Sequence, residues 1–269
     1  MKACKQFRAG KQTKIKDADA EQKPLSSGDK IKDREQVAAL AAEIAVLQEM
    51  LYAGQQHKVL VVLQGTDTSG KDGTVKGVFN LINPQGIQIA NFKAPSTIER
   101  AHDYLWRVHQ QVPQQGEIVV FNRSHYEDVL ITRVHDWIDD AECERRYAQI
   151  RDFERMLAET GTTVIKCLLH ISKDEQRNRL QERIDDPAKH WKFDMQDLEE
   201  RKSWDKYQAL FGKAIQATDA DHAPWYVIPA NSKTHRNLAI ASILLETLAD
   251  LKLKPPPAKP ELRGLKIEA

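Results

Sequence analysis

Gly65, Gly70 and Lys71 stand in the spacing G-x-x-x-x-G-K, a pattern able to hold phosphate. Glycines let the backbone curl until successive N–H groups point inward at phosphate oxygens. The start of a following helix adds partial positive charge, and the lysine adds a full one. Thr68, Ser69, Gly73 and Thr74 complete the loop and first helical turn and are candidate phosphate or nucleotide contacts. Asp72 occupies the position where this pattern usually carries the hydroxyl that holds Mg2+, so Thr74 or Asp67 has to take the metal. Asp67 is the unusual member. A carboxylate beside bound phosphates costs roughly several kcal/mol in a partly dry site, unless a divalent cation lies between or it takes a proton or orients an acceptor. The plainer alternative is an Asx-turn that shapes the loop.

Two more polar clusters could share that chemistry. Asn122, Arg123, Ser124, His125, Tyr126, Glu127 and Asp128 follow an apolar run directly. Arg123 offers a planar fork suited to phosphate, while Glu127 and Asp128 are possible metal or hydroxyl partners. Asn122 stands where many phosphate-loop enzymes place an acidic metal ligand. No acyl-nucleophile pattern surrounds His125, which favours a structural hydrogen bond there. Farther on come Arg177, Arg179, Arg183, Lys189, Lys192 and Arg201. Arg179 and Arg183 share a helical face, and Pro187 ends that helix. A basic helix–loop–helix of this kind makes a lid that supplies charge and excludes water. The interleaved Glu175, Glu182, Asp185 and Asp186 leave a solvated charged face as the alternative.

These clusters need elements to hold them. Residues 58–64 form a continuous β-branched run, as in a strand buried on both faces of a parallel sheet, and the glycine loop follows at once. Residues 87–92, 117–122, 162–171 and 226–229 also read as strands, separated by polar turns and helical patterns. The alternation predicts an α/β fold with a parallel sheet and helices on both faces. Val37, Leu40, Ile44, Leu47 and Leu51 mark a helix from Arg34, with Asp33 as its N-cap. Ser96 with Glu99 and Ser172 with Glu175 have capping-box spacing, and Gly161 can close a helix that begins near Asp140. Leu238, Ile240, Ile243, Leu244, Leu248 and Leu251 mark the last helix. Residues 1–33 read as a basic, flexible or draped arm, and 252–269 as a proline-rich extended tail. Trp106 and Trp204 read as packing residues.

The chain of 269 residues carries a net charge of +1, unevenly spread. Residues 1–34 hold ten Lys/Arg against five Asp/Glu, and 252–269 hold five against two, leaving 25 against 32 between them. An acidic middle argues against duplex DNA as the main partner, so a polyanion must be held by local cations or metal. No apolar run approaches the ~18–20 residues of a bilayer span, and no secretory signal is visible, so a cytoplasmic place is expected. Cys4, Cys143 and Cys167 are far apart and fit no metal spacing, which predicts reduced thiols.

In one order, residues 65–74, 121–130, 185–193 and 223–233 resemble the polyphosphate kinase 2 family, a resemblance covering about residues 34–251. The resemblance implies a P-loop kinase-like three-layer sandwich, similar to thymidylate kinases, with a central parallel sheet and a helical lid at about 173–205. It implies phosphoryl transfer between inorganic polyphosphate and nucleotides with Mg2+, for which Mn2+ can substitute, and no covalent protein intermediate. By position, Asp67 and Lys71 resemble the family's catalytic pair and Arg123 its phosphate-binding arginine. Arg183, Lys189 and Lys192 resemble lid cations facing the phosphate chain, and Arg179, on the same helical face as Arg183, is counted with them as a polyphosphate candidate. The family often has Asp-Arg-Ser where this chain has Asn122, Arg123 and Ser124. Continued by His125, Tyr126 and Glu127, this form resembles the subgroup that accepts both nucleoside mono- and diphosphates, AMP/ADP or GMP/GDP. Asn122 and Glu127 then belong to the nucleotide site. A homodimer or homotetramer is expected, with neither nucleic acid nor membrane as a partner. An ATP-using nucleotide kinase and a nucleotide-sensing switch are the other readings the loop allows.

Overall fold

The computed structural model describes residues 2–10 and 12–267. Its five strands are β1 (Lys58–Gln64), β2 (Ile87–Asn91), β3 (Ile118–Asn122), β4 (Thr162–His170) and β5 (Trp225–Pro229). They run parallel in the order β2-β3-β1-β4-β5. β1 is central, with Val61 in register with Val120 on one side and Ile165 on the other. The pleat splits its side chains: Val59, Val61 and Leu63 enter one apolar cluster, Leu60 and Val62 the other. Burial on both faces is why β1 reads as an unbroken apolar run.

Eleven α-helices surround the sheet among the described residues. They are α1 (Lys2–Phe7), α2 (Lys30–Gly54), α3 (Lys71–Val78), α4 (Thr97–Arg100), α5 (Trp106–His109), α6 (Ile131–Val134), α7 (Asp140–Glu159), α8 (Lys173–Asp185), α9 (Met195–Lys202), α10 (Trp204–Thr218) and α11 (Lys233–Asp250). α2 and α11 supply Ile44, Leu51, Ile240, Ile243 and Leu244 to one face of the sheet. α7 and α10 supply Tyr147, Ile150, Leu210 and Phe211 to the other. The chain turns to opposite sides of the sheet after β1 and after β4, which opens a crevice at the carboxyl ends of the strands.

Three expectations are corrected. The N-terminal segment is draped on the domain, not flexible: Ala3 and Phe7 of α1 are buried, and the Glu246 carboxylate accepts the N–H groups of Ala3 and Cys4 at 2.9 and 3.0 Å. Arg8 pairs with Asp219, and His170 Nε2 lies 2.8 Å from the Lys16 carbonyl. A single buried turn is too short to show apolar periodicity. The cap of α2 is Asp29, which accepts the Ile31 N–H at 2.7 Å. Asp33 lies inside the helix, buried, and accepts from Ser26 Oγ and the Ser27 N–H at 2.5 and 2.8 Å; these bonds hold its carboxyl below the usual range although burial opposes them. Finally, α2 does reach the length and mean hydropathy, 1.4, of a bilayer span. Its Val37, Ala41, Ile44 and Leu51 are nonetheless buried in the domain.

Candidate functional site

β1 delivers the chain to the loop at the sheet's carboxyl edge. Gly65 turns there with φ 150°, and a Cβ on it would lie 2.7 Å from the Leu169 carbonyl oxygen, so only glycine fits. Lys71 opens α3 and is buried, with Nζ donating to the carbonyls of Gly65 and Thr66 at 2.8 and 3.2 Å. Burial first, and then Arg123, pulls its pKa down to about 8. Asp67, Thr68, Gly70, Lys71 and Gly73 line the cavity beside the loop. Gly65, Ser69 and Thr74 do not line it. Thr74 is buried, and its hydroxyl donates back to the Gly70 carbonyl at 3.2 Å, so of the two metal candidates only Asp67 lines the cavity.

The second cluster meets the loop from β3. Arg123 adopts φ 63°, uncommon without glycine, while its N–H donates to the Leu63 carbonyl at 3.1 Å. The guanidinium donates to Asp67 Oδ1 at 2.5 Å and reaches Glu127 at 3.5 Å. Burial weakens its charge, but Glu127 and Asp67 outweigh that and raise its pKa. Asn122 Nδ2 donates to Asp72 at 2.7 Å and to Asn91 at 2.9 Å, tying α3, β3 and β2 together. His125 is wholly buried, with Nε2 3.2 Å from Glu154. Glu154 also meets Lys166 Nζ at 2.5 Å and accepts from the Tyr126 hydroxyl at 2.9 Å. Burial raises the Glu154 pKa, yet Lys166 and His125 together hold it below the usual range. This buried network anchors the turn that presents Arg123.

The lid cluster divides. Arg179 spends all five donors inside the protein: Nε on Glu175, Nη1 on the Thr68 and Ser69 carbonyls, and Nη2 on those of Ala230 and Asn231, at 2.6–3.2 Å. It braces the phosphate loop with every donor taken, while also lining the cavity. Arg183 holds the Lys192 carbonyl at 2.8 Å and Asp197 at 3.2 Å. Lys189 pairs with Asp186 at 2.8 Å, and Lys192 lies 4.8 Å from the ring centroid of the exposed Trp191. Arg183, Lys189 and Lys192 all line the cavity. Arg177 and Arg201 do not. Arg201 donates to the Lys173 carbonyl and to Gln176 at 2.7 and 2.9 Å.

The cavity measures about 1090 Å3 and has two characters. The β2–β3 end contributes Phe92, Pro95, Ile131 and Trp137 together with Lys93, Arg100 and Arg107. The lid and α11 contribute Arg183, Lys189, Lys192, Lys233 and Arg236. Sequence reasoning missed much of this. Arg107 is buried, donates to the Lys93 carbonyl at 2.7 Å and lies 3.6 Å from Asp128, whose carboxyl burial pushes up. It sits in a four-residue helix that leaves no periodic signal. Arg236 and the buried His235 beside it precede the apolar face of α11, which was the one available clue.

A strand running into a curled glycine loop, a helix opening on its lysine, and a cationic lid across the crevice define a P-loop kinase-like α/β protein. The chain belongs to the polyphosphate kinase 2 family: residues 27–256 match the family described as Polyphosphate kinase 2 (PPK2). It is 55% identical over 233 residues to the AMP/ADP-polyphosphate phosphotransferase of Meiothermus ruber, covering 87% of this chain and 86% of that one. It is 43% identical over 229 residues to the ADP-polyphosphate phosphotransferase of Rhodopseudomonas palustris, covering 81% and 79%. The crystal structure of polyphosphate kinase 2 from Arthrobacter aurescens TC1 superposes with a TM-score of 0.93 at 45% identity, covering 96% of this chain and 92% of that one.

Proposed function

We propose that this chain transfers phosphoryl groups between inorganic polyphosphate and nucleoside mono- and diphosphates, in line and without a covalent protein intermediate. The observation that carries the reading is the two-sided cavity over the phosphate loop. A polyphosphate has no base or sugar to recognise, so its site needs cations above all, and the side of the lid and α11 offers Arg183, Lys189, Lys192 and Lys233 among the acidic Glu182, Asp194, Asp197 and Glu200. A nucleotide also needs flat apolar surface, and the β2–β3 side offers Phe92, Pro95 and Trp137. The names of the relatives point the same way.

Catalysis then consists of positioning and charge neutralisation. Lys71 and the loop amides hold the reacting end of the donor, while Arg123 steadies the acceptor's terminal phosphate. Asp67, between them, meets the metal or the attacking oxygen. Mg2+, or Mn2+ in its place, fits this donor set as a shared ion. No group of three or more acidic, His or Cys side chains forms a cage among the described residues. Mg2+ usually takes one or two carboxylates and completes its shell with phosphate oxygens and water. When bound, it would neutralise charge on the transferring phosphoryl group.

Long-chain polyphosphate incubated with AMP, ADP, GMP or GDP and Mg2+, without ATP, tests this. Phosphorylated products on chromatography are expected; turnover only after ATP is added would overturn the donor assignment. Removing Arg183 or Lys192 as alanine should weaken polyphosphate binding about tenfold, since a charge-assisted contact contributes roughly 1.5–3 kcal/mol before solvent screening. AMP affinity in calorimetry should hardly move. Equal losses for both ligands would show that the lid does not select the donor. Arg179→Met should instead lower stability and turnover with every substrate, because it strands four loop carbonyls.

A further inference from the structure

The glycines of the phosphate loop make room for an arginine as well as for an anion. A Cβ on Gly70 would fall 1.8 Å from Nη1 of Arg236, and one on Gly73 would fall 3.0 Å from its Nη2. Arg236 lies in the first turn of α11 and is only 3% exposed, yet it lines the cavity. Its Nε and Nη2 donate to Asn237 Oδ1 at 3.1 and 2.8 Å. Among the described residues no carboxylate pairs with it, and no acceptor meets Nη1. Burial, followed by the neighbouring Arg179, pulls its pKa down to about 10.

A buried guanidinium with no counter-ion is costly. Here it stands against Gly70, the cap of α3, where the helix end is itself partly positive and Lys71 begins. Asp67, Glu127 and Asp72 act on Lys71, but among the described residues no carboxylate pairs with Arg236 itself. A bound anion would offset its charge, and would gain a planar donor suited to phosphoryl oxygens. The position favours the donor over the acceptor. α11 follows β5 on the lid side, with Lys233 one turn earlier, whereas the apolar surfaces lie on the β2–β3 side.

We infer that Arg236 is a direct ligand of the polyphosphate donor, its Nη1 donating to a phosphoryl oxygen held at the start of α3. This rests on the donor reading above and extends it. Unlike the lid cations, Arg236 is carried by a core helix, so its charge is in place before any lid closes. The second and third glycines of the loop segment thus serve to admit this side chain as well as to shape the backbone.

Isothermal titration with sodium tripolyphosphate and, separately, with AMP tests the inference on the wild type, Arg236→Met and Arg236→Lys, alongside thermal melts without ligand. Arg236→Met keeps the buried stem and removes the charge. It should weaken tripolyphosphate binding at least about tenfold and AMP binding less than about twofold, with Arg236→Lys between. Without ligand, Arg236→Met should melt no lower than the wild type, because an uncompensated charge has gone. Unchanged tripolyphosphate affinity, or a larger loss for AMP, overturns the inference. A wild type that binds no tripolyphosphate overturns the donor reading along with it, and that outcome is distinct because the loss precedes any substitution.

Discussion

Replacing Lys71 by alanine should cut turnover with polyphosphate by roughly 10²–10³-fold, the usual effect of removing one preorganised charge from a transferring group. Asp67→Ala should do comparable damage, since it removes the carboxylate that lies between loop and Arg123. Both variants should keep the melting behaviour of the parent, because neither side chain belongs to the apolar core. Steady-state kinetics checks this; near-normal rates in either variant would show that the loop is not the reacting site. Lys71 also sets a pH dependence. With a pKa pulled down to about 8, it carries its charge below that value and loses it above. The KM for polyphosphate should therefore rise as pH climbs through about 8, and Lys71→Arg should flatten the rise.

The second large effect is on stability, far from the cavity. Glu154→Ala strands Lys166, whose ammonium is fully buried and is then left with neutral partners: the Tyr126 hydroxyl at 3.0 Å, the Thr218 carbonyl at 2.9 Å and the Trp225 ring at 5.2 Å. Breaking a buried pair from one side costs roughly 3–5 kcal/mol, which urea denaturation would read directly. Adding Lys166→Met should recover part of that loss, because the stranded charge is then gone. A single variant as stable as the wild type would show that the pair carries no net energy. Turnover should fall too, since His125 and Tyr126 lose the partner that fixes the turn bearing Arg123.

Much of this architecture was readable because burial writes itself into composition. β1 coincides with residues 58–64, and the other strands lie within a residue or two of their expected ranges, because strands buried on both faces are continuous apolar runs. Gly65, Gly70 and Lys71 were found by spacing, and Asp67 by the oddity of a carboxylate within the loop. Arg179 lines the cavity with its helical neighbour Arg183, but a helical face does not show whether carbonyls wait there to take every donor. Asp33 was mistaken for a cap because Asp29, four residues earlier, has the same chemistry. Arg107 and Arg236 escaped notice because their partners are remote in the chain: the Lys93 carbonyl lies 14 residues away, and Gly70 is on another element altogether. α1 was missed because Glu246, which caps it, lies at the far end of the sequence.

The most direct test is a crystal structure of the protein with tripolyphosphate, AMP and Mg2+. Phosphoryl oxygens should lie within hydrogen-bonding distance of Lys71 Nζ and the loop N–H groups, with the AMP phosphate beside Arg123 and the adenine toward Trp137. Anions bound elsewhere, with nothing held in the glycine turn, would contradict the assignment.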